Sequence, residues 1–157
     1  MSRVEAVNIL VQFIERPRLC AWSVAALILT GTPDVDELHD ALLTAGFLLE
    51  SEVDRAWADE LAARQRATRA RVDQITMWVA AERLPEMMAV HPAASTEPRI
   101  AAPASRTSRI WTRAEALVEL LRGRMAIVGP TTVADVTASS AVPASDVDEA
   151  LLTLEAE

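Results

Sequence analysis

A run of arginines in the middle of the chain is the part of the sequence best suited to binding a charged ligand. Four guanidinium groups fall within eight residues, at Arg64, Arg66, Arg69 and Arg71. Planar guanidinium groups pair well with phosphate oxygens, so this run predicts contacts with a nucleic-acid backbone. The alternative interpretation is a solvated hairpin face whose charge is neutralised by nearby carboxylates, among them those of Asp59, Glu60 and Asp73.

The histidines give a weaker indication of a metal site. His39 lies three residues after Asp36 and next to Asp40, so His39 and Asp36 would share one face of a helix. His91 is far away in the sequence, and no third ligand has the spacing that a zinc-type site needs. We therefore expect no metal ligand in this chain and interpret His39 as a solvent-exposed helix residue.

Composition excludes a nucleotide-hydrolysing site. The chain has no lysine, so a P-loop cannot be formed. A dinucleotide fingerprint is excluded as well, because the only glycines are Gly31, Gly46, Gly123 and Gly129. No general base can be placed beside a serine or Cys20, and we expect no catalytic residue. A single cysteine also excludes an internal disulfide, which fits a cytoplasmic location.

The overall charge limits how the chain could bind nucleic acid. The formal net charge is -8, although all 15 basic residues are arginines. An acidic chain does not coat nucleic acid non-specifically, but a local basic stretch can still bind it. The most apolar stretch, 19–30, is far shorter than the ~20 residues that span a bilayer, so we expect no membrane segment.

Apolar spacing predicts helices along the N-terminal part of the chain. The first two would cover 2–16 and 19–29. The third would begin at Asp34 or Asp36, whose side chains can cap it, and would end at Gly46.

In the middle of the chain the spacing of apolar residues changes from a helical period to a period of two. A helix opening at Ser51 is followed by alternating residues that predict one β-hairpin at about 67–80, and then by a short helix over 82–90. Trp57 and Trp78 could stack on nucleic-acid bases, but they lie within apolar patterns and are interpreted as core residues.

A Pro/Ala-rich segment, 91–108, lacks apolar periodicity and is interpreted as a linker or an extended surface crossing. It would separate a helical region with a hairpin, 1–90, from a C-terminal unit, 109–157. The predicted fold class is therefore α+β, predominantly α-helical.

The C-terminal unit has the helix order of a winged helix-turn-helix. Thr112 and Glu115 form a capping box for a long helix, a short helix begins at Thr131 or Thr132, and a third begins at Ser145. No wing follows the third helix, so we expect a truncated winged helix and a chain that is a fragment. That helix holds five acidic and no basic residues, which predicts packing against protein and not base reading.

Several segments of the chain resemble the C-terminal accessory region of bacterial Lhr (large helicase-related) proteins. Around the hairpin these are Arg-Ala-Thr-Arg-Ala-Arg-Val (66–72) and Met-Trp-Val-Ala-Ala-Glu-Arg-Leu-Pro-Glu (77–86). Leu-His-Asp-Ala-Leu-Leu-Thr-Ala-Gly-Phe (38–47) is similar to the region before it, and 113–125 and 146–157 to the winged-helix segment after it. Order and spacing agree over residues 34–157. One departure is Ser139-Ser140-Ala141, which stands where a Leu-Gly-type turn is expected.

The resemblance implies a function within a larger machine. Lhr proteins are superfamily 2 DEAD/DEAH-box DNA helicases linked to DNA repair, and this chain would lie downstream of their motor domains. ATP and magnesium would then belong to those motors, with no cofactor in this chain. The implied partners are single-stranded DNA or a DNA–RNA hybrid, together with the helicase domains against which the chain would pack.

Three other interpretations remain open from the sequence. The chain could be a protein-interaction module that docks a basic partner on its acidic terminal helix. It could be a hydrolytic or glycosylase-like enzyme built on winged helices, which would need a paired acid and base in a cleft. It could also be a gene remnant without a function of its own.

Overall fold

The protein is α+β and mostly helical, as predicted, with a small antiparallel sheet packed between two groups of helices. The computed structural model describes residues 34–128 and 131–157. The helices predicted for 2–16 and 19–29 lie outside the described residues. Within them, no helix combines the length and apolar character needed to cross a membrane.

The described elements follow one another with short connections. In chain order they are α1 (Val35–Ala45), β1 (Leu48–Leu49), α2 (Arg55–Ala63), β2 (Ala67–Val72), β3 (Ile75–Ala80), α3 (Leu84–Val90), β4 (Ser95–Glu97), α4 (Ala104–Thr107), α5 (Arg113–Ile127), α6 (Val133–Ser140) and α7 (Ala144–Glu155). Two short 3-10 turns, Glu50–Glu52 and Ala81–Arg83, lie between them.

The ends of the first two described helices are set by local chemistry. The Asp34 side chain accepts hydrogen bonds from the first backbone N–H groups of α1, and Gly46 ends this helix with a φ of 82°, as predicted. The prediction for α2 was wrong at its start. Ser51 lies in a 3-10 turn, and Asp54 caps the helix by accepting a hydrogen bond from the Trp57 N–H.

The sheet extends the predicted hairpin on both sides. Its strand order is β1-β3-β2-β4, and every neighbouring pair is antiparallel. β4 lies inside 91–108, the segment interpreted as a linker or an extended surface crossing, and pairs with β2. Ser95–Glu97 is too short to show a strand-like alternation of apolar residues. These residues form a strand only because their backbone hydrogen-bonds to β2.

Each face of the sheet supports its own core, because side chains alternate along a strand. The first core lies between one sheet face and the helices α3, α5, α6 and α7, and includes Ala70, Met77, Val79, Met87, Leu121 and Val147. The second core lies between the other face and the helices α1 and α2, and includes Leu38, Leu42, Leu61, Ala67, Trp78 and Ala80. The burial of Trp78 agrees with its interpretation as a core residue, and Trp57 packs against the second core.

The first core joins the hairpin to the C-terminal helices, so packing continues across the expected boundary at 91–108. Helix α5 approaches α1 closely at Gly123, where a Cβ atom would lie 2.4 Å from the Thr44 carbonyl oxygen. Arg124, one residue later, donates two hydrogen bonds of 2.6 and 2.7 Å to the Glu52 carboxylate. These contacts fix α5 against the α1–β1 region.

The C-terminal helices have the predicted order and caps, except that α7 begins after Pro143 and not at Ser145. The predicted capping box of Thr112 with Glu115 is present. Of the two caps considered for α6, Thr132 is the one used, and it forms a second capping box with Asp135. Ala141 connects α6 to α7 in the left-handed conformation, with a φ of 55°. This is the place of the expected Leu-Gly-type turn, where glycine would adopt the same φ without a steric penalty from Cβ.

We expect Ala141→Gly to stabilise the fold by about 1 kcal/mol, since it removes the left-handed strain at a helix end. The control is Ala138→Gly in the right-handed interior of α6, which should cost about 0.5–1 kcal/mol. Urea denaturation gives both free energies of unfolding. Destabilisation by Ala141→Gly comparable to that of the control would contradict the account of this turn.

A buried ion network holds the end of the hairpin to the helices. The Glu86 side chain is fully buried and accepts hydrogen bonds from Arg83 at 3.2 Å and from Arg106 at 2.7 Å. Arg83 also donates to the Glu119 carbonyl of α5, and Arg106 to the Glu82 carbonyl. Most of these groups belong to 77–86, one of the segments on which the Lhr resemblance rests, and their role here is structural.

Replacing Glu86 by glutamine should destabilise the protein by about 3 kcal/mol, because the Arg83 guanidinium would remain buried without a counter-charge. The matched control is Glu60→Gln, which breaks only the exposed pair with Arg64 and should cost less than about 1 kcal/mol. Free energies of unfolding in urea measure both effects. Equal losses would show that the network does not contribute to stability through its buried charge.

Candidate nucleic-acid interface

The pairing of β2 with β4 assembles a basic groove at one end of the sheet. In this register Arg71 lies opposite Ser95, and Arg69 lies opposite Glu97. Directly opposed residues of an antiparallel pair project from the same face, so these four side chains stand together. The groove, with a volume of about 350 Å³, is lined by Arg69, Arg71, Ser95, Thr96, Glu97 and Arg99; we refer to these six residues as the basic groove.

Arg99 reaches the basic groove because the segment after β4 is tied to the sheet. The buried Thr68 hydroxyl donates a hydrogen bond of 2.6 Å to the carbonyl oxygen of Pro98, the residue before Arg99. Sequence reasoning missed Arg99, which lies alone in the expected linker. Only the pairing of β4 with β2 places Arg99 in the groove, and no local sequence pattern predicts that pairing.

The three groove arginines differ in how their charge is used. Arg69 donates to Glu50 at 3.1 Å and lies 3.9 Å from the Glu97 carboxylate. Arg71 and Arg99, both exposed, form no ion pair with any residue in 34–128 or 131–157. Three guanidinium groups therefore face two carboxylates, and the groove keeps a net positive charge on a strongly acidic chain.

The other two predicted site residues lie apart from the groove. Arg64, at the end of α2, pairs with Glu60 one turn earlier. Arg66 pairs with Asp36 of α1, and this guanidinium holds the pKa of the Asp36 carboxyl below its usual value through a hydrogen bond and its charge. The structure thus brings together Arg69 and Arg71 of the four predicted arginines and leaves Arg64 and Arg66 in ion pairs outside the groove.

His39 is buried, which corrects its interpretation as an exposed helix residue. A guanidinium N–H of Arg66 donates to Nδ1 of the ring at 2.9 Å, and since arginine cannot accept, Nδ1 must be the acceptor. The proton then lies on Nε2, which donates to Glu82 at 3.2 Å. His39 therefore joins α1 to the two ends of the hairpin, and both of its nitrogens are occupied.

His91 belongs to a different contact. Its Nε2–H donates to the Ser140 carbonyl at the end of α6 at 2.9 Å, and burial lowers the pKa of the ring. No group of three or more His, Cys, Asp or Glu side chains in the described part of the chain is arranged to hold a metal ion.

Comparison of the chain with models of protein families, with curated proteins and with solved structures finds no match. The resemblance to Lhr proteins therefore continues to rest on the residues quoted for it. The structure adds the α+β fold, the buried ion-pair and hydrogen-bond networks, and a basic groove in which two of three arginines form no ion pair with the described residues.

Proposed function

We propose that this chain binds the backbone of single-stranded nucleic acid through the basic groove, as an accessory region of an Lhr-type DNA helicase. The observation that supports this most directly is the pair of exposed guanidinium groups of Arg71 and Arg99. They line one groove with the Ser95 hydroxyl and have no acidic partner among the described residues. Guanidinium and hydroxyl groups are the donors that phosphate oxygens accept.

A single strand suits this surface better than a duplex. A helix-turn-helix reads duplex DNA with the helix that follows its turn, which here is α7. The exposed carboxylates of α7, among them Asp148, Glu149 and Glu155, would repel phosphates at close range. The groove instead offers a few cations at one end of a sheet, where a flexible strand can bend to meet them. A DNA–RNA hybrid presents the same kind of phosphates, but as a duplex it bends to the groove less readily than a free strand.

The helicase context remains part of the proposal. If the chain belongs to a longer Lhr-type protein, ATP and magnesium act in the motor domains and the basic groove guides the translocated strand. The exposed carboxylates of α7 would then face neighbouring helicase domains instead of DNA.

Replacing both Arg71 and Arg99 by alanine should weaken binding of a fluorescein-labelled oligodeoxythymidine at ~50 mM salt by about tenfold or more. The slope of log K against log salt should fall by about 1.4, since each lost phosphate contact on a single strand removes about 0.7. Fluorescence anisotropy across a salt series measures both quantities.

The matched control for this experiment is Arg55→Ala with Arg64→Ala on α2. It makes the same change in net charge at exposed arginines that pair with Asp59 and Glu60. Equal losses in the two double variants would mean that only overall charge matters. Unchanged affinity after loss of Arg71 and Arg99 would exclude the basic groove as the binding site.

A second candidate function, docking of a basic protein partner, is favoured by one feature of α7. Leu152 is 47% exposed, one of two large apolar side chains exposed to this degree among the described residues. By helical spacing it shares a face with Asp148, Glu149 and Glu155. A folded chain that binds no oligonucleotide at any salt concentration would favour this function over the first.

A further inference from the structure

Glu97 occupies an unusual position in the basic groove. It lies opposite Arg69 in the β2–β4 register and lines the groove together with the three arginines. Its side chain is 84% exposed, and its carboxylate is 3.9 Å from the Arg69 guanidinium, beyond hydrogen-bond distance. Glu97 therefore places a negative charge where an anion would bind, while contributing little to the fold.

Cations and a carboxylate follow one another along the groove. Arg71 lies opposite Ser95 at one end, and Arg99 follows Glu97 by two residues toward the other end; neither arginine is paired among the described residues. In the middle Arg69 lies between Glu97 and Glu50, and Glu50 accepts its hydrogen bond at 3.1 Å. A phosphate beside Arg71 or Arg99 is attracted by that arginine and repelled by Glu97.

We propose that Glu97 is a specificity-determining residue that makes the basic groove favour a chain of phosphates over an isolated anion. This inference rests on the proposed function. A lone phosphate gains the contact of Arg71 or of Arg99 and keeps the repulsion of Glu97. A strand also brings a neighbouring phosphate to Arg69, where it replaces the weakly held Glu97 carboxylate, because exposed ion pairs are easily exchanged.

The contact between Arg69 and Glu50 supports the proposed displacement of Glu97 by a phosphate. Glu50 lies closer to Arg69 than Glu97 does and is less exposed, so it keeps the guanidinium in place when Glu97 swings away. Glu97 can move freely because it faces solvent, and no hydrogen bond within the described residues holds its carboxylate.

The test compares Glu97→Gln with Glu149→Gln in the full chain. Glu149 is an exposed residue of α7, so this control changes the net charge equally at a remote site. For each variant, anisotropy gives the affinity for labelled oligodeoxythymidine, and competition by inorganic phosphate at constant ionic strength gives the affinity for a single anion.

Removing the Glu97 charge should raise the affinity for the oligonucleotide by about threefold and the affinity for inorganic phosphate by about tenfold. The gain is larger for phosphate because the isolated anion is freed from a repulsion that a bound strand already relieves. Glu149→Gln should change both by less than about twofold. Equal gains for phosphate and oligonucleotide, or a Glu97 variant indistinguishable from the control, would overturn the role of Glu97.

The two proposals fail in different ways. If neither the original chain nor the Glu97 variant binds oligonucleotide, the proposed function is wrong, and the inference falls with it. If the original chain binds through Arg71 and Arg99 but Glu97→Gln leaves the preference for a strand over phosphate unchanged, the proposed function stands and only the inference is wrong.

Discussion

The alternation of side chains along β2 is the constraint on which the rest of the structure depends. Ala70 and Val72 face the first core, while Ala67 faces the second core together with its partner Ala80. Arg69 and Arg71 share the side of Ala67, but they lie toward the end of that face lined by β4, where the groove is open. A slip of one residue in register would turn both arginines into the first core, so the packing that stabilises the sheet also orients the groove.

Arginine has three separate roles in this protein, and composition does not distinguish them. Arg83 and Arg124 are largely buried and connect helices through carboxylates and carbonyl groups. Arg64 and Arg66 neutralise nearby acids at the surface. Only Arg71 and Arg99 are exposed in the basic groove without an acidic partner among the described residues. For anion binding at this groove, the local positive charge therefore matters more than the formal net charge of -8.

Local signals predicted much of the fold. The cap at Asp34, the end of α1 at Gly46, the period-two hairpin, the Thr112–Glu115 capping box and the cap at Thr132 each depend on residues close together in sequence. β4 was missed because three residues without apolar alternation become a strand only through hydrogen bonds to β2. The exposure expected for His39 was wrong for a similar reason, since its partners Arg66 and Glu82 lie 27 and 43 residues away.

The sequence predicted two of the three basic residues of the candidate site. Arg69 and Arg71 were predicted from their spacing along one strand. Ser95 and Arg99 were missed because they belong to a segment for which the sequence pattern predicts no helix or strand. Arg64 pairs with Glu60 one helical turn earlier, which helix spacing alone allows, whereas the pair of Arg66 with Asp36 of α1 depends on tertiary packing.

The most direct test of the account is a titration of the ¹⁵N-labelled chain with single-stranded oligodeoxythymidine, followed by amide and arginine Nε–H resonances. We expect the largest shifts at Arg69, Arg71, Arg99 and the strand Ser95–Glu97, with the resonances of α7 unchanged. Shifts concentrated on α7, or none at β4 when the oligonucleotide is bound, would contradict the assignment of the basic groove as the nucleic-acid interface.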